Sequence, residues 1–379
     1  MIKFVEIEAK SVLNRHKFKD NWFWDRYSIN PYRGCQFACN YCDAISQKYL
    51  THKDYHDFTR TIYVKKNTPK VLLKEIRKYK PDIVGLSGVT DPYQPVESKY
   101  KLTRKTLKIL AQNQFPVHIG TKSDLILRDI DILKEISRKT WCTVSFTIIT
   151  YNKDLLSHLE PLAPPPERRL EAVRKLNEEG IRAGVNFIPI VPYILDSQEN
   201  IEEVIKKASE HAKYILIGSG MSLRSNQRIR FMELLEKDFP ELVPKYEKLY
   251  GNNVSPARDY VTSLNKIAKE FCEKYGIKNY IDPPDFKRNP EQATLIPNGD
   301  YDKINRDVAN HLLLTAFFKE FKSGNFYAAR NYHVAAENIE NLTENIQDIH
   351  KQNTLEVIPG VGKTVSKVIS EFLGKSSKS

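Results

Sequence analysis

Short apolar runs alternate with helical patterns through the middle of this chain, and that alternation constrains its fold more than any other feature. Ile83-Val-Gly-Leu-Ser87 reads as a buried strand, and Leu102 to Ala111 as a helix. Val117-His-Ile-Gly120 reads as the next strand, followed by a helix through Ile130, Leu133 and Ile136. Thr143 to Ile148 is strand-like, and a helix then opens at Pro164-Pro-Pro-Glu and ends at Gly180, with proline at its start and glycine past its end. Val185 to Ile190, a helix from Glu199 and Tyr214-Ile-Leu-Ile217 complete the series. Repeated βα units of this kind predict a parallel sheet with helices outside it. In such folds the chemistry lies at the C-terminal ends of the strands.

Ahead of the series lies Asn30-Pro-Tyr-Arg-Gly-Cys-Gln-Phe-Ala-Cys-Asn-Tyr-Cys-Asp43. Cys35, Cys39 and Cys42 are three of the five cysteines, spaced Cys-x3-Cys-x2-Cys. Three thiolates on one short loop can hold three corners of a cubane and leave one iron open to a small molecule. A cluster that only carries electrons normally takes four cysteines. Structural zinc would need a fourth ligand, for which His52 and His56 are off-pattern candidates.

The 379 residues, 41% of them hydrophobic, are enough for two domains, and the net charge of +12 favours polyanionic partners or simply a lysine-rich surface. The lack of a long apolar run predicts no membrane span and no signal peptide. Unpaired cysteines and an oxygen-sensitive cluster suit a cytoplasmic setting. Trp22-Phe-Trp24 reads as a lid or core plug rather than a base-stacking platform, and Asp43 to Leu50 as a first helix. Domain limits are expected at 1–27 for a lead-in, 28–222 for the α/β part, 223–302 for a helical extension and 303–379 for an all-α tail.

The cysteine loop, with Tyr41 as the aromatic before the last cysteine, resembles the radical S-adenosylmethionine (SAM) superfamily. That resemblance implies a partial (β/α)6 TIM-like barrel with the cysteine loop after its first strand. It also implies a [4Fe–4S] cluster on Cys35, Cys39 and Cys42, with SAM on the open iron, and an electron donor such as flavodoxin or ferredoxin. The reduced cluster of this family donates an electron to SAM, giving methionine and a 5′-deoxyadenosyl radical that abstracts hydrogen from the substrate.

Further stretches are similar to the spore photoproduct lyase-like branch: Thr90-Asp-Pro-Tyr-Gln-Pro-Val-Glu97 with Leu102-Thr-Arg104, Thr121-Lys-Ser-Asp124, Leu127-Arg-Asp129, Leu159-Glu-Pro161 and Arg168 to Ala172. The likeness implies that Thr90, Lys122 and Ser145 contact SAM. Asp91 or Glu97 could answer its ammonium. Turn capping is the competing role for Thr90, Asp91 and Glu97, and Lys122 could equally be a plain strand-end lysine. Two departures stand out. Val89 occupies the position of that branch's cysteine hydrogen donor, and Asp43 replaces the tyrosine after the last cluster cysteine. Cys142, Tyr41 and Tyr93 are then the alternative donors.

Residues 305–373 resemble the helix-hairpin-helix domain of family X DNA polymerases, and Ile358-Pro-Gly-Val-Gly-Lys-Thr-Val365 is the hairpin. The backbone N–H groups of Gly362, Lys363 and Thr364, with Gly360 turning the chain, suit a phosphate oxygen. Val368 stands where lyase-active members carry a Schiff-base lysine, with Lys367 one residue earlier. The combined expectation is an enzyme acting on DNA, in lesion repair. RNA or protein modification, and a DNA-binding protein with a structural or redox-sensing cluster, are the alternatives.

Overall fold

The structure, a computed structural model, describes residues 2–286, 301–324 and 329–376. The chain divides into two compact units. One comprises Met1–Asn14 with Tyr27–Ile281, and the other Arg15–Arg26 with Asp282–Ser379. The expected lead-in is therefore shared between the units at Asn14.

The first unit is built on nine strands relevant here: β1 (Lys3–Ile7), β2 (Tyr27–Ser28), β3 (Tyr32–Arg33), β4 (Thr61–Lys65), β5 (Val84–Leu86), β6 (Val117–Thr121), β7 (Cys142–Thr147), β8 (Arg182–Ile190) and β9 (Ile215–Ser219). β2, β5, β6, β7, β8 and β9 lie side by side in chain order and pair in parallel. Each later crossover carries a helix: α1 (Thr68–Glu75) before β5, α2 (Val96–Tyr100) and α3 (Leu102–Gln112) before β6, and α4 (Ile130–Lys139) before β7. Next come α5 (Lys153–Leu159) and α6 (Pro166–Glu178) before β8, and α7 (Gln198–His211) before β9. This is the mixed α/β fold with a parallel sheet that the alternation predicts. Three helices follow: α8 (Ser225–Asp238), α9 (Val243–Tyr250) and α10 (Arg258–Lys274).

The core is made where strand residues such as Val144, Phe146, Val185 and Phe187 meet the apolar helix faces of Leu107, Leu133, Val173 and Val204, all fully buried. Tyr214 crosses Gly184 so closely that a Cβ there would come within 2.5 Å of its ring. A second, three-stranded sheet of β1, β4 and β3 is a feature the sequence pattern does not predict. β1 pairs β4 in parallel from Lys3↔Thr61, and β3 pairs it antiparallel at Tyr32↔Val64. The expected helix over Asp43 to Leu50 is corrected: only a single 3-10 turn, Asp43–Ile45, forms there.

The second unit is helical: α11 (Tyr301–Ser323), α12 (Arg330–Glu340), α13 (Ile346–Lys351) and α14 (Lys363–Ser376). Its own segment Arg15–Arg26 supplies part of its core. Trp24 is fully buried, and Trp22 meets Phe317 edge-on at 5.0 Å. Arg26 bonds Glu337 at 2.6 Å and Glu340 at 2.9 Å, while Lys19 reaches Glu340 at 3.0 Å. The tryptophans thus act as a core plug. Among the described residues, no helix is long and apolar enough to cross a membrane.

His118 sits inside the parallel sheet, and burial alone holds its imidazole neutral down to about 3, from an ordinary value of 6.5. The unfolded chain takes up a proton near 6.5 that the native state refuses. His118 therefore costs stability as the pH falls below that value, and costs nothing above it. The expected loss is about 1.4 kcal/mol per pH unit from this group. Urea unfolding at neutral and mildly acidic pH, with wild type and His118→Gln compared, measures it. Equal pH slopes in the two proteins would contradict the assignment.

Candidate active site

The cysteine loop leaves the C-terminal end of β2 and is braced along its length. Gly34 sits at φ +82°, where a Cβ would lie 2.6 Å from the Phe58 carbonyl oxygen and 2.8 Å from that of Thr61. Cys35 N donates to Phe58 O at 3.1 Å. The Gly34 carbonyl accepts from Thr90 Oγ1 at 2.6 Å and from Gln94 Nε2 at 3.0 Å. Gln36 N donates to Gln94 Oε1 at 3.0 Å, and Val96 N donates to Gln36 Oε1 at 2.7 Å. Two buried glutamines thereby fasten the loop to the segment after β5. Further on, Asn40 donates from its backbone to Leu159 O at 3.0 Å and from Nδ2 to His158 O at 2.6 Å. Gln36, Gln94 and Asn40 are bracing side chains of the site that sequence reasoning missed, as are Glu160 and Arg169 beside them. Amides within and beside a cysteine motif carry no signal of their own until the fold brings their partners near.

All three loop cysteines are free thiols. Burial pushes each thiol up, that of Cys42 to about 12. Around Cys39 the Lys122 ammonium and the Arg169 guanidinium oppose that rise, and the Glu160 carboxylate adds to it. Among the described residues no three His, Cys, Asp or Glu side chains converge to hold one metal ion. A single zinc needs its ligands gathered about one point, whereas a cubane takes one thiolate at each of three irons. The donor set, three soft sulfurs on one fixed loop, fits the second arrangement.

Beside Cys39 lies a buried charged group. Glu160 at the end of α5 is fully buried and pairs with Arg169 of α6 at 2.6 Å. Tyr41 OH donates to the other carboxylate oxygen. Lys122, just past β6, stands 3.9 Å from Glu160 and 5.5 Å from the Tyr41 ring. Desolvation would raise the Glu160 carboxyl, but Arg169 and Lys122 outweigh it and hold the group below its ordinary value. Two cations thus stand against one carboxylate beside Cys39, while the Asp91 carboxylate acts on Cys35 and that of Asp43 on Cys42 in the opposite sense.

The remaining predicted residues are firmly engaged. Asp91 accepts from Tyr93 N and Thr121 Oγ1, both at 2.8 Å, and from Lys122 N at 2.8 Å. Glu97, fully buried, accepts from Tyr32 OH at 2.5 Å, Arg128 at 2.7 Å and Thr103 N at 2.9 Å. Those are capping and bracing bonds. Ser145 is fully buried against Tyr214 OH at 2.9 Å. Tyr93 OH donates to Asp129 at 3.0 Å. Its ring helps line a cleft of about 460 Å³ with Phe37, Ser123, Asp124, Leu162 and Arg168. Cys142 pairs with Val117 at the N-terminal end of β7, the opposite end of the strands from Lys122. Val89, like Cys35 and Cys42, packs against the apolar cluster of Ala44, Ile45 and Phe58.

In the second unit the hairpin packs against α12: a Cβ on Gly360, at φ +87°, would meet Ala335 N at 2.7 Å. Nothing lies within 4 Å of the Gly362 Cβ position. Lys363, Thr364 and Lys367 are exposed on the first turns of α14.

The Radical SAM superfamily model matches residues 29–205, and a Helix-hairpin-helix domain model matches residues 303–377. An uncharacterized protein of Mycobacterium tuberculosis is 30% identical over 301 residues, covering 78% of this chain and 88% of that protein. An uncharacterized protein of Methanocaldococcus jannaschii is 31% identical over 276 residues, covering 73% of this chain and 97% of its own length. Among solved structures, a spore photoproduct lyase variant with bound AdoMet and dinucleoside spore photoproduct superposes with a TM-score of 0.52 at 15% identity, covering 72% of this chain and 78% of that one. At that identity the likeness is one of fold.

Gly34→Ala is expected to destabilise the first unit by about 1–3 kcal/mol, because the side chain meets two carbonyls in a left-handed backbone. Chemical denaturation of the full chain measures it, and an unchanged midpoint would contradict the bracing described.

Proposed function

The chain belongs to the radical SAM superfamily, whose members use SAM and an iron–sulfur cluster, and on that premise we propose an enzyme that acts on DNA, in lesion repair of the spore photoproduct lyase-like type. The loop itself carries the radical SAM part of this reading, and the exposed helix-hairpin-helix turn at Lys363 and Thr364 supports the DNA part. Cys35, Cys39 and Cys42 are free, Cys39 buried and the other two half-buried, on one loop at the C-terminal side of a parallel sheet. Those three thiolates would hold a [4Fe–4S] cluster. Bound there and reduced, such a cluster would supply the electron for cleavage of SAM to methionine and a 5′-deoxyadenosyl radical.

The chain's own part is to orient and to shield. Lys122 is the side chain suited to SAM's carboxylate, since its ammonium is held near Glu160 without a close bond at 3.9 Å. Thr90, Asp91, Glu97 and Ser145 serve by keeping the strand ends in place, their polar atoms already bonded. Tyr41 bridges the loop to Glu160. Val89 puts a hydrocarbon where a thiol donor would sit, so the reading favours a lesion other than the spore photoproduct itself, or a donor such as Tyr41 or Tyr93. An external one-electron donor, flavodoxin or ferredoxin in kind, completes the scheme. Gly360, Gly362, Lys363, Thr364 and Lys367 would grip the DNA backbone, which positions a protein without reading sequence.

Each of Cys35→Ala, Cys39→Ala and Cys42→Ala is expected to abolish 5′-deoxyadenosine formation by anaerobically reconstituted protein. Full product from any one would remove that cysteine from the site. The wild-type assay, run without nucleic acid and with intact DNA, ultraviolet-irradiated DNA or RNA, tests the substrate. A rise confined to irradiated DNA is expected, and a rise only with RNA would redirect the reading.

Lys363→Ala with Lys367→Ala, made in the full chain, is expected to flatten the dependence of log affinity on log salt by about 0.9 for each phosphate no longer neutralised. An unchanged slope would count against α14 as the grip.

A further inference from the structure

The radical SAM match ends at residue 205, yet a helix beyond it lies along the cysteine loop. Ser225 Oγ accepts from Gln47 N at 3.0 Å, and Asn226 Nδ2 donates to Ile45 O at 3.3 Å. Gln227 Nε2 donates to Tyr41 O at 2.8 Å. One turn on, Arg230 donates through Nε and Nη2 to Asn40 Oδ1 at 3.1 and 2.9 Å, and through Nη2 to Ala38 O at 3.3 Å. The bonds run in order, with α8 advancing as the loop runs backward from 47 to 38. They bracket Cys39 on both sides and reach the residue before Cys42.

Two details make this more than incidental packing. Gln227 is only 1% exposed, and its amide is held at both ends: Oε1 accepts from Arg224 N at 3.1 Å while Nε2 holds the loop. Its orientation is fixed by the start of α8 itself. Ala38 adopts φ +55°, a left-handed conformation uncommon for a residue with a side chain, and Arg230 holds its carbonyl. The bonds of Arg230 to Asn40 and Ala38 place its guanidinium on the two residues that flank Cys39, and it interacts electrostatically with Cys39 and Cys42.

We propose that α8 is part of the cluster site: Gln227 and Arg230 are positioning residues that set Cys39 against Cys42 before the cluster arrives, and Arg230 adds positive charge that favours its reduced, more negative state. This rests on the reading of the three cysteines as cluster ligands. Outer residues that orient metal ligands commonly alter affinity by about 10–100-fold when removed. Hydrogen bonding and nearby charge are also what move a cluster's potential.

The test uses the full chain, reconstituted anaerobically. Iron and sulfide per chain, resistance to a chelator and the midpoint potential followed by electron paramagnetic resonance are measured for wild type, Gln227→Leu, Arg230→Gln and Arg230→Lys. Thermal unfolding of the cluster-free proteins shows whether each still folds. Gln227→Leu is expected to lose its cluster to chelator about tenfold more readily or worse. Arg230→Gln is expected to shift the midpoint to more negative potential, with Arg230→Lys restoring it because the charge returns. A merely structural arginine would not give that rescue. Wild-type cluster retention in Gln227→Leu together with a wild-type potential in Arg230→Gln would overturn the proposal. A wild-type protein that binds no cluster at all would instead overturn the reading on which it rests.

Discussion

The first unit's candidate site depends on one interlocked pair of side-chain amides. Gln94 donates to the Gly34 carbonyl and accepts from Gln36 N, while Gln36 accepts from Val96 N. Each glutamine takes its main-chain partner from the other's segment. Both are buried, so a broken bond would leave a polar atom without water, at a cost of about 1–3 kcal/mol. The consequence is a loop whose first cysteine has a fixed place relative to β5, and through β5 relative to the whole parallel sheet. Thr90 and Gly34 extend the same lock, one by a second bond to the carbonyl and the other by adopting a backbone angle that side chains resist.

Charge is arranged around that fixed loop in a way stability alone does not explain. Burying Glu160 with Arg169 is costly, and a well-packed apolar pair would often be as stable. What the arrangement provides is a field. Lys122 and Arg169 act electrostatically on Cys39, and Arg230 of α8 on Cys39 and Cys42, against Asp91 at Cys35 and Asp43 at Cys42. Thiolates and an anionic cofactor are easier to hold beside such cations than in a neutral pocket. Tyr41 joins the two systems, since it belongs to the loop and bonds Glu160.

Much of this was legible in the sequence because it is local. Strands β5 to β9 and the helices between them declare themselves by periodicity, and the Cys-x3-Cys-x2-Cys spacing singles out one loop. Long-range pairing was not legible. β1 finds β4 some 58 residues away, as Lys3↔Thr61, and nothing in either segment names the other. Asp43 to Leu50 has a plausible helical composition, but the carbonyl of Ile45 and the amide of Gln47 are taken by Asn226 and Ser225. Tertiary bonds there replace the helical ones. For Asp91 and Glu97, spacing revealed carboxylates at a strand's end without revealing that each already accepts several bonds, Asp91 from Tyr93 N, Lys122 N and Thr121, and Glu97 from Thr103 N, Tyr32 and Arg128. The tryptophans at 22 and 24 read correctly as a plug, while their membership in a unit made mostly of residues beyond 282 could not be read from sequence.

We propose that Cys35, Cys39 and Cys42 hold a cubane with one iron left for SAM. Mössbauer spectra of the reconstituted full chain, kept oxidised so that SAM binds without being cleaved and recorded before and after SAM is added, would show it. One iron of the cluster is expected to change its signal on SAM addition while the other three keep theirs. Spectra identical in the two conditions, or iron bound as isolated ions, would contradict it.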